Sequence, residues 1–511
     1  MGINVAIFGL PSRMIDVDAS SSEMVRYDRS AAVSGLIRPD ARRCFFWLAA
    51  LCGGLLVIAW TWRDITGLVW GSMIAFAGIL CIDLFSRYRR RYYSPLVISL
   101  FFLFGYVLST ADLVLYYDMK TPFPSRASLL WSRLLPQHFV TIMVVIACGI
   151  AGLFIATVIA EKSYRHLMKP RLLNWRRISV SPRTIVAFSI VWSMGSLLLI
   201  LVMWHLGIGR TGLEPDRSLP YGMTGMAIYA RNILVPLGGC FILQLALRAE
   251  RRRMVTACFG LLVLLGAIGS FTSMSRGFFV NMILPEMLYV YITERPRWWH
   301  GRRMAVLAFL VIAFFVVSVS VVMSLRNVGY VTGKLSVRRV LASMSVDDFK
   351  QGALIGSSLL VDRMLGMEEL VPVCALDNEQ SYNPWAVFLG DGDEVRRVNS
   401  GVLGTKWAKL KGLSFGAAYG IWGMLFLSRS YVVLFIGTVL FLLHLLFLEH
   451  LLLVRGLPLV ALGVVINVGM WVWGGAQLAY LLRASFMVVV FCVATDAVLD
   501  FNRVHRQMHL A

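Results

Sequence analysis

Apolar runs of about 17 to 25 residues, separated by short polar and basic stretches, recur along nearly the whole chain. At about 1.5 Å rise per residue, a run of that length crosses a hydrocarbon core about 30 Å thick. The pattern predicts helices near 44–62, 66–84, 95–115, 138–160, 184–207, 223–247, 254–271, 277–293, 304–324, 430–448, 456–475 and 480–499. The runs are continuous, whereas strands of a membrane barrel would be about 10 residues long and alternate in polarity. The expected fold class is therefore an all-α polytopic membrane protein of about 12 transmembrane helices, with a large, partly helical outer loop.

The polar stretches between the runs set the orientation. Arg87-Tyr88-Arg89-Arg90-Arg91, the 161–183 loop with Lys162, Arg165, Lys169, Arg171, Arg176 and Arg177, Arg251-Arg252-Arg253, and Arg295, Arg297, Arg302 and Arg303 fall in alternate loops. The intervening loops are poor in arginine, so the rich side is expected to be cytoplasmic and both termini to lie there, with Arg503 and Arg506 agreeing. The domains that follow are a disordered cytoplasmic tail over 1–43, an N-terminal bundle of about nine helices over 44–324, an outer loop over 325–411, C-terminal helices over 412–499 and a cytoplasmic tail over 500–511. No secretory signal peptide is expected in the first segment, which is mixed polar and charged. Within 412–429, Gly412, Gly416, Gly420 and Gly423 interrupt an apolar run ending at Ser428-Arg429-Ser430. A thirteenth span there would move the basic C-terminus outside, so an interfacial or re-entrant lead into the next helix is preferred. The 325–411 loop is longer than a helix connection needs. Its apolar residues Phe349, Leu354, Ile355, Leu359, Leu360, Met364, Leu365 and Leu370 recur at helical spacing, which predicts amphipathic helices forming a cap.

Composition narrows the classes. Of 511 residues, 58% are hydrophobic and 15% charged, which excludes a set of ordinary soluble domains. The formal net charge of +21 comes from arginines in short loops rather than on one soluble face, so it reads as topology and attraction to anionic lipid, not nucleic-acid binding. Seven of the eight cysteines lie in apolar runs, and Cys374 lies in the polar loop, so no structural disulfide is expected. No Cys/His spacing fits zinc and no Walker loop is present, so neither a metal nor ATP-driven transport is expected.

Polar residues capable of chemistry gather at one depth. In the expected orientation Asp112, His138, His205, Arg210, Arg217, Arg231 and Arg276 fall at or just inside the outer face. Arg231 lies inside an apolar helix, where a charge must snorkel, pair or line a cavity. Arg276 is either an interfacial anchor or a phosphate-binding group. Arg210 and Arg217 share a loop with Glu214 and Asp216 and read first as solvated charges. Glu286, beside Pro285, lies about 13 Å along its helix and is expected to pair with an arginine such as Arg231, ahead of direct catalysis. Asp362 and Arg363 in the outer loop, and His138 or His205 at the rim, are the better-placed candidates for a general base or its partner.

Thr272-Ser273-Met274-Ser275-Arg276-Gly277-Phe278-Phe279, opening a mid-chain helix from the outer side, resembles the Ser-Arg-Gly stretch of Wzy-type polymerases of O-antigen and exopolysaccharide repeat units. The order that follows is similar too: a large outer loop with Asp362-Arg363, then Asn399-Ser400-Gly401, then the glycine-rich 412–423 segment leading into the last helices. As an architecture the resemblance covers roughly residues 44 to 500. Met274 departs from the small residues common in that stretch, and the spaced-arginine patterns of some members are not matched. The resemblance implies a GT-C-like membrane glycosyltransferase of the bacterial inner membrane. Its donor and acceptor would be glycans on undecaprenyl diphosphate, with no nucleotide sugar, cofactor or metal, and a chain-length regulator as a further partner. In that reading Arg276 stabilises the departing diphosphate, Arg231 and Arg210 assist, and Asp362 and Glu286 are further catalytic candidates. Ser275, Gly277, Arg217, Arg363 and His205 would bind substrate, and Tyr382 and Trp385 would stack on sugar faces.

Two other readings stand beside it. An O-antigen ligase-like enzyme would share donor and topology, and a histidine in the outer loop would favour it; residues 325–411 contain none. A lipid-linked oligosaccharide flippase would carry charges deep in several helices and short outer loops, opposite to the pattern here.

Overall fold

The computed structural model describes residues 92–102, 126–167, 180–210, 223–249, 251–293, 367–376, 420–475 and 478–510, with isolated positions in 105–106, 219–220, 309–322 and 382–397. The expected helices at 44–62 and 66–84, most of the one at 304–324, and most of the outer loop lie outside the described residues.

Every described element is a helix. In chain order they are α1 (Ser94–Phe102), α2 (Arg126–Leu167), α3 (Pro182–His205) and α4 (Met223–Tyr229), which passes through a π-helical turn (Ala230–Leu234) into α5 (Val235–Arg248). Then come α6 (Arg252–Ser273), α7 (Arg276–Thr293), α8 (Met367–Ala375), α9 (Gly420–Phe426), α10 (Tyr431–Val454), α11 (Pro458–Gly475) and α12 (Leu478–Leu510). Among the described residues, five stretches are long and apolar enough to cross a bilayer: Val140–Ala160, Pro182–His205, Met223–Arg248, Arg252–Ser273 and Tyr431–Val454. Gly277–Val290 and Pro458–Gly469 are shorter apolar helices.

Local sequence explains the boundaries. Ser181 accepts a hydrogen bond from the Thr184 N–H at 3.2 Å and Pro182 follows at the first helical position, so α3 starts where a cap and a preset φ coincide. Ser430 caps α10 in the same way, accepting from Val433 N–H at 3.4 Å. The described part of the glycine-rich 412–429 segment is α9, a fully buried helix of seven residues, about 10 Å long and too short to span. It ends in a tight turn where Arg429 adopts φ 55°.

The helix α11 is apolar apart from Asn467, with Leu459 to Ile466 almost wholly buried, and it packs against α5, α7, α9 and α10. Glycines permit the close approaches. A side chain at Gly149 would collide with the indole of Trp422, one at Gly238 with Trp192, and one at Gly463 would come within 2.8 Å of the Cys240 sulfur. By contrast α3 exposes Val186, Ile190, Val191, Met194 and Leu198, as a lipid-facing helix does.

Polar side chains tie the opposite ends of these helices together. The Glu449 carboxylate in α10 accepts from Tyr93 N–H, from Ser94 N–H at 3.0 Å and from the Ser94 hydroxyl, capping α1. Gln244 in α5 donates to Gly456 O at 2.9 Å and accepts from Leu459 N–H at 3.0 Å, gripping the α10–α11 turn. Arg455 in that turn pairs with Asp496 in α12 at 3.0 Å.

Candidate functional site

The helices α6 and α7 meet in a tight corner at Ser273-Met274-Ser275. Met274 takes the left-handed conformation, φ 53°, with its side chain fully buried, and its N–H reaches Phe271 O at 3.3 Å while Ser275 N–H reaches Ser270 O at 3.1 Å. This is the usual closure of a helix, made by methionine where glycine would avoid the Cβ cost. Arg276 then opens α7. The Ser270 hydroxyl accepts from Phe279 N–H at 3.0 Å, so α6 caps the first turn of α7 directly. Thr272 and Ser273 turn their hydroxyls back to Ile268 O at 2.8 Å and Gly269 O at 2.6 Å, which commits them to α6 rather than to the corner. Gly269 makes room for the Phe278 ring.

Arg231 reaches this corner from the π-helical turn. Its guanidinium lies 6.0 Å from the centroid of the Phe278 ring, two residues beyond Arg276. Nε donates to Asn232 Oδ1 at 3.0 Å, and both terminal nitrogens donate to the Gly209 carbonyl at 3.3 Å. The side chain is 4% exposed. Gly209 has φ +71°, which favours glycine, and a Cβ there would stand 3.0 Å from Nη1 and press on the guanidinium. The π turn adds one residue to the helical repeat, which redirects Arg231 and Asn232 together; such turns are common at functional positions. Counting about 1.5 Å per residue from Arg248, Arg231 stands about 26 Å along its span, near the far edge of a 30 Å hydrocarbon core rather than at its middle.

Of the remaining candidates, Arg210 follows Gly209 and donates to Trp204 O at 2.8 Å, its guanidinium 4.8 Å from the Trp204 ring centroid. It is therefore fastened to the end of α3, not loosely solvated as the loop composition suggested. Ser275 and Gly277 are half-buried at the corner, and His205 is exposed in the last turn of α3. The backbone of Arg276 is placed at the corner; its side chain, together with Arg217, Asp362, Arg363 and Trp385, lies outside the described residues. Tyr382 is half-buried, with the Arg397 guanidinium 5.7 Å from its ring centroid.

Two expectations are corrected. Glu286 does not pair with Arg231: its Oε1 accepts from the Cys240 thiol at 3.3 Å, and Oε2 has no hydrogen-bond partner among the described residues. It lies about 15 Å beyond Arg276 along α7, too deep to share the corner. Cys374, though within the 325–411 loop, is not set among polar residues: it lies on α8, which packs against α2 and α9, and is buried there, and burial pushes its thiol up to about 12.

Sequence reading missed other polar groups. Glu449 is fully buried; it falls one residue past the expected helix 430–448 but inside the helix as it stands, Tyr431–Val454. Arg429 donates to Leu376 O at 2.7 Å, placing a cation at the C-terminal end of α8, and burial lowers its pKa. Asn281 and Asn467 are buried with Oδ1 unpartnered among the described residues. The corner thus joins Arg231, the Gly209-Arg210 turn and the opening of α7, whose first N–H groups form a positive pole. No family model, curated protein or solved structure matches the chain.

Proposed function

We propose that the chain is a membrane glycosyltransferase that polymerises undecaprenyl-diphosphate-linked oligosaccharide repeat units into O-antigen or exopolysaccharide at the outer face of the bacterial inner membrane. The observation that carries this reading is a buried guanidinium, with no carboxylate partner among the described residues, at the corner that also presents Ser275-Arg276-Gly277. Three of the five N–H donors of Arg231 are used by Asn232 and Gly209. A buried cation held this way favours an anionic ligand at the headgroup boundary.

In the reaction an acceptor sugar hydroxyl attacks the anomeric carbon of the donor glycan. The bond from that carbon to the diphosphate oxygen breaks, the electron pair leaves with the diphosphate, and the hydroxyl proton passes to a base. Arg231, Arg276 and the first N–H groups of α7 stabilise the departing charge, a contribution on the order of 3 kcal/mol per well-placed donor. Arg210 holds the end of α3, and through Gly209 the position of Arg231. Glu286 has no part in this step.

The test is reconstitution of the purified protein with lipid-linked single repeat units, with products read by gel and mass spectrometry. A ladder of lipid-attached multiples is expected, and its loss in Arg276→Ala and Arg231→Ala at normal membrane abundance. Units moved to the opposite leaflet without a ladder would replace the polymerase reading by a flippase, and full activity in Arg276→Ala would remove the central assignment.

A further inference from the structure

One side of α12 is an exposed apolar stripe: Leu482, Phe486, Val489, Val490 and Val493 recur at helical spacing with about half of their surface open. Arg483 lies on the edge of that stripe and is itself exposed. A lipid-facing arginine is costly unless its charge reaches the headgroups or finds a counter-ion. Among the described residues it has no acid partner. Its Nη1 donates to the Tyr229 hydroxyl at 3.2 Å, and the guanidinium lies 5.3 Å from the Tyr229 ring centroid, a cation–π geometry. Gly225, one turn earlier on α4, lies beside the guanidinium: a Cβ there would stand in ordinary van der Waals contact, 3.7 Å from Nη1.

Depth decides what the guanidinium meets. Tyr229 stands 19 residues from Arg248, about 28 Å along the span, which puts the pair at the boundary between hydrocarbon and headgroups. Around it Met223 and Met226 on α4 and Leu482 and Phe486 on α12 are all at least 50% exposed, a surface suited to acyl chains. The guanidinium is thus held against an aromatic ring near phosphate depth, between two apolar flanks.

We infer that the seam between α4 and α12 is a binding site for an anionic phospholipid, with Arg483 taking the phosphodiester and the flanking methionines, Leu482 and Phe486 taking the acyl chains. A net negative lipid is required, because a zwitterionic headgroup already compensates its phosphate. The side chains of this seam are not those that hold Arg231, and the site does not depend on the polymerase reading.

The test is native mass spectrometry of the full-length protein, titrated with phosphatidylglycerol or phosphatidylcholine. One saturable phosphatidylglycerol adduct is expected, weakened at least about tenfold in Arg483→Ala and unchanged in Arg183→Ala, an exposed arginine at the far end of α3. Millimolar inorganic phosphate should not displace it. If Arg483→Ala does not fold, Tyr229→Phe and Arg483→Lys serve, each expected to weaken the adduct severalfold. Equal retention by the Arg483 variants, equal retention of phosphatidylcholine, or full displacement by inorganic phosphate would each overturn the site. The last outcome would mean a phosphate subsite without lipid.

Discussion

At Gly209 a single hydrogen atom separates a working corner from a displaced one. Alanine there would meet both terminal nitrogens of Arg231, at 3.0 and 3.1 Å, and would sit in the left-handed region at φ +71°. The strain costs on the order of 1–3 kcal/mol, and the guanidinium, being the end of a flexible side chain, moves first. Gly209→Ala is therefore expected to lower polymer yield at least about tenfold while the protein still reaches the membrane. Asn232→Ala, which removes only the Nε acceptor, should cost less, about 1 kcal/mol or severalfold in rate. Both are read from the product ladder against membrane abundance. Unchanged ladders in Gly209→Ala would mean that the position of Arg231 is immaterial. The residues of this corner were legible as types: Arg210, Arg231 and Arg276 share a depth in the sequence. What holds Arg231 was not, because two of its three donors go to the backbone carbonyl of Gly209, which carries no sequence signal, and the third to the neighbouring Asn232 side chain, which only the π turn brings into register.

Among the elements, α1 depends on a residue far away in the chain. The carboxylate of Glu449 takes three donors at the start of that helix, two backbone N–H groups and a hydroxyl. In Glu449→Ala those donors would be left buried without acceptors, each costing about 1–3 kcal/mol. Glutamine keeps one acceptor oxygen in place of two and should fall between. The expected result is a lower midpoint of thermal unfolding in detergent, in the order wild type, Glu449→Gln, Glu449→Ala. Equal midpoints would show that α1 docks by apolar packing alone. The lengths and limits of α3, α6, α7, α10 and α11 follow the apolar runs to within a few residues, since a bilayer-length run with a Ser or Pro start admits few alternatives. The π turn at 230–234 escaped that logic because it leaves hydropathy unchanged, and α2 extends well beyond the expected 138–160, to Arg126–Leu167.

At the scale of the whole molecule, the packing of α8 on α2 and α9 brings part of the large loop against the bundle and changes how the topology can be probed. Cys374 lies in that contact and is 6% exposed. Burial holds its thiol protonated up to about 12, so the thiolate that reacts with a maleimide is scarce at neutral pH in the folded chain. Between the ordinary value of 9.0 and about 12 the folded protein retains a proton that the unfolded chain releases. This thiol's contribution to stability is therefore intact below 9.0 and falls as pH rises through that window. Labelling with an impermeant maleimide in intact spheroplasts is expected to miss Cys374 until the chain is denatured. Asn383→Cys, at an exposed position of the same loop, should react at once if that loop is outside. Reaction of Asn383→Cys only after permeabilisation would invert the orientation inferred from the arginine loops. That result would move the Arg231 corner to the cytoplasmic face, where a periplasmic polymerisation could not occur. Reaction of Cys374 in the native protein at neutral pH would show instead that α8 leaves the bundle readily.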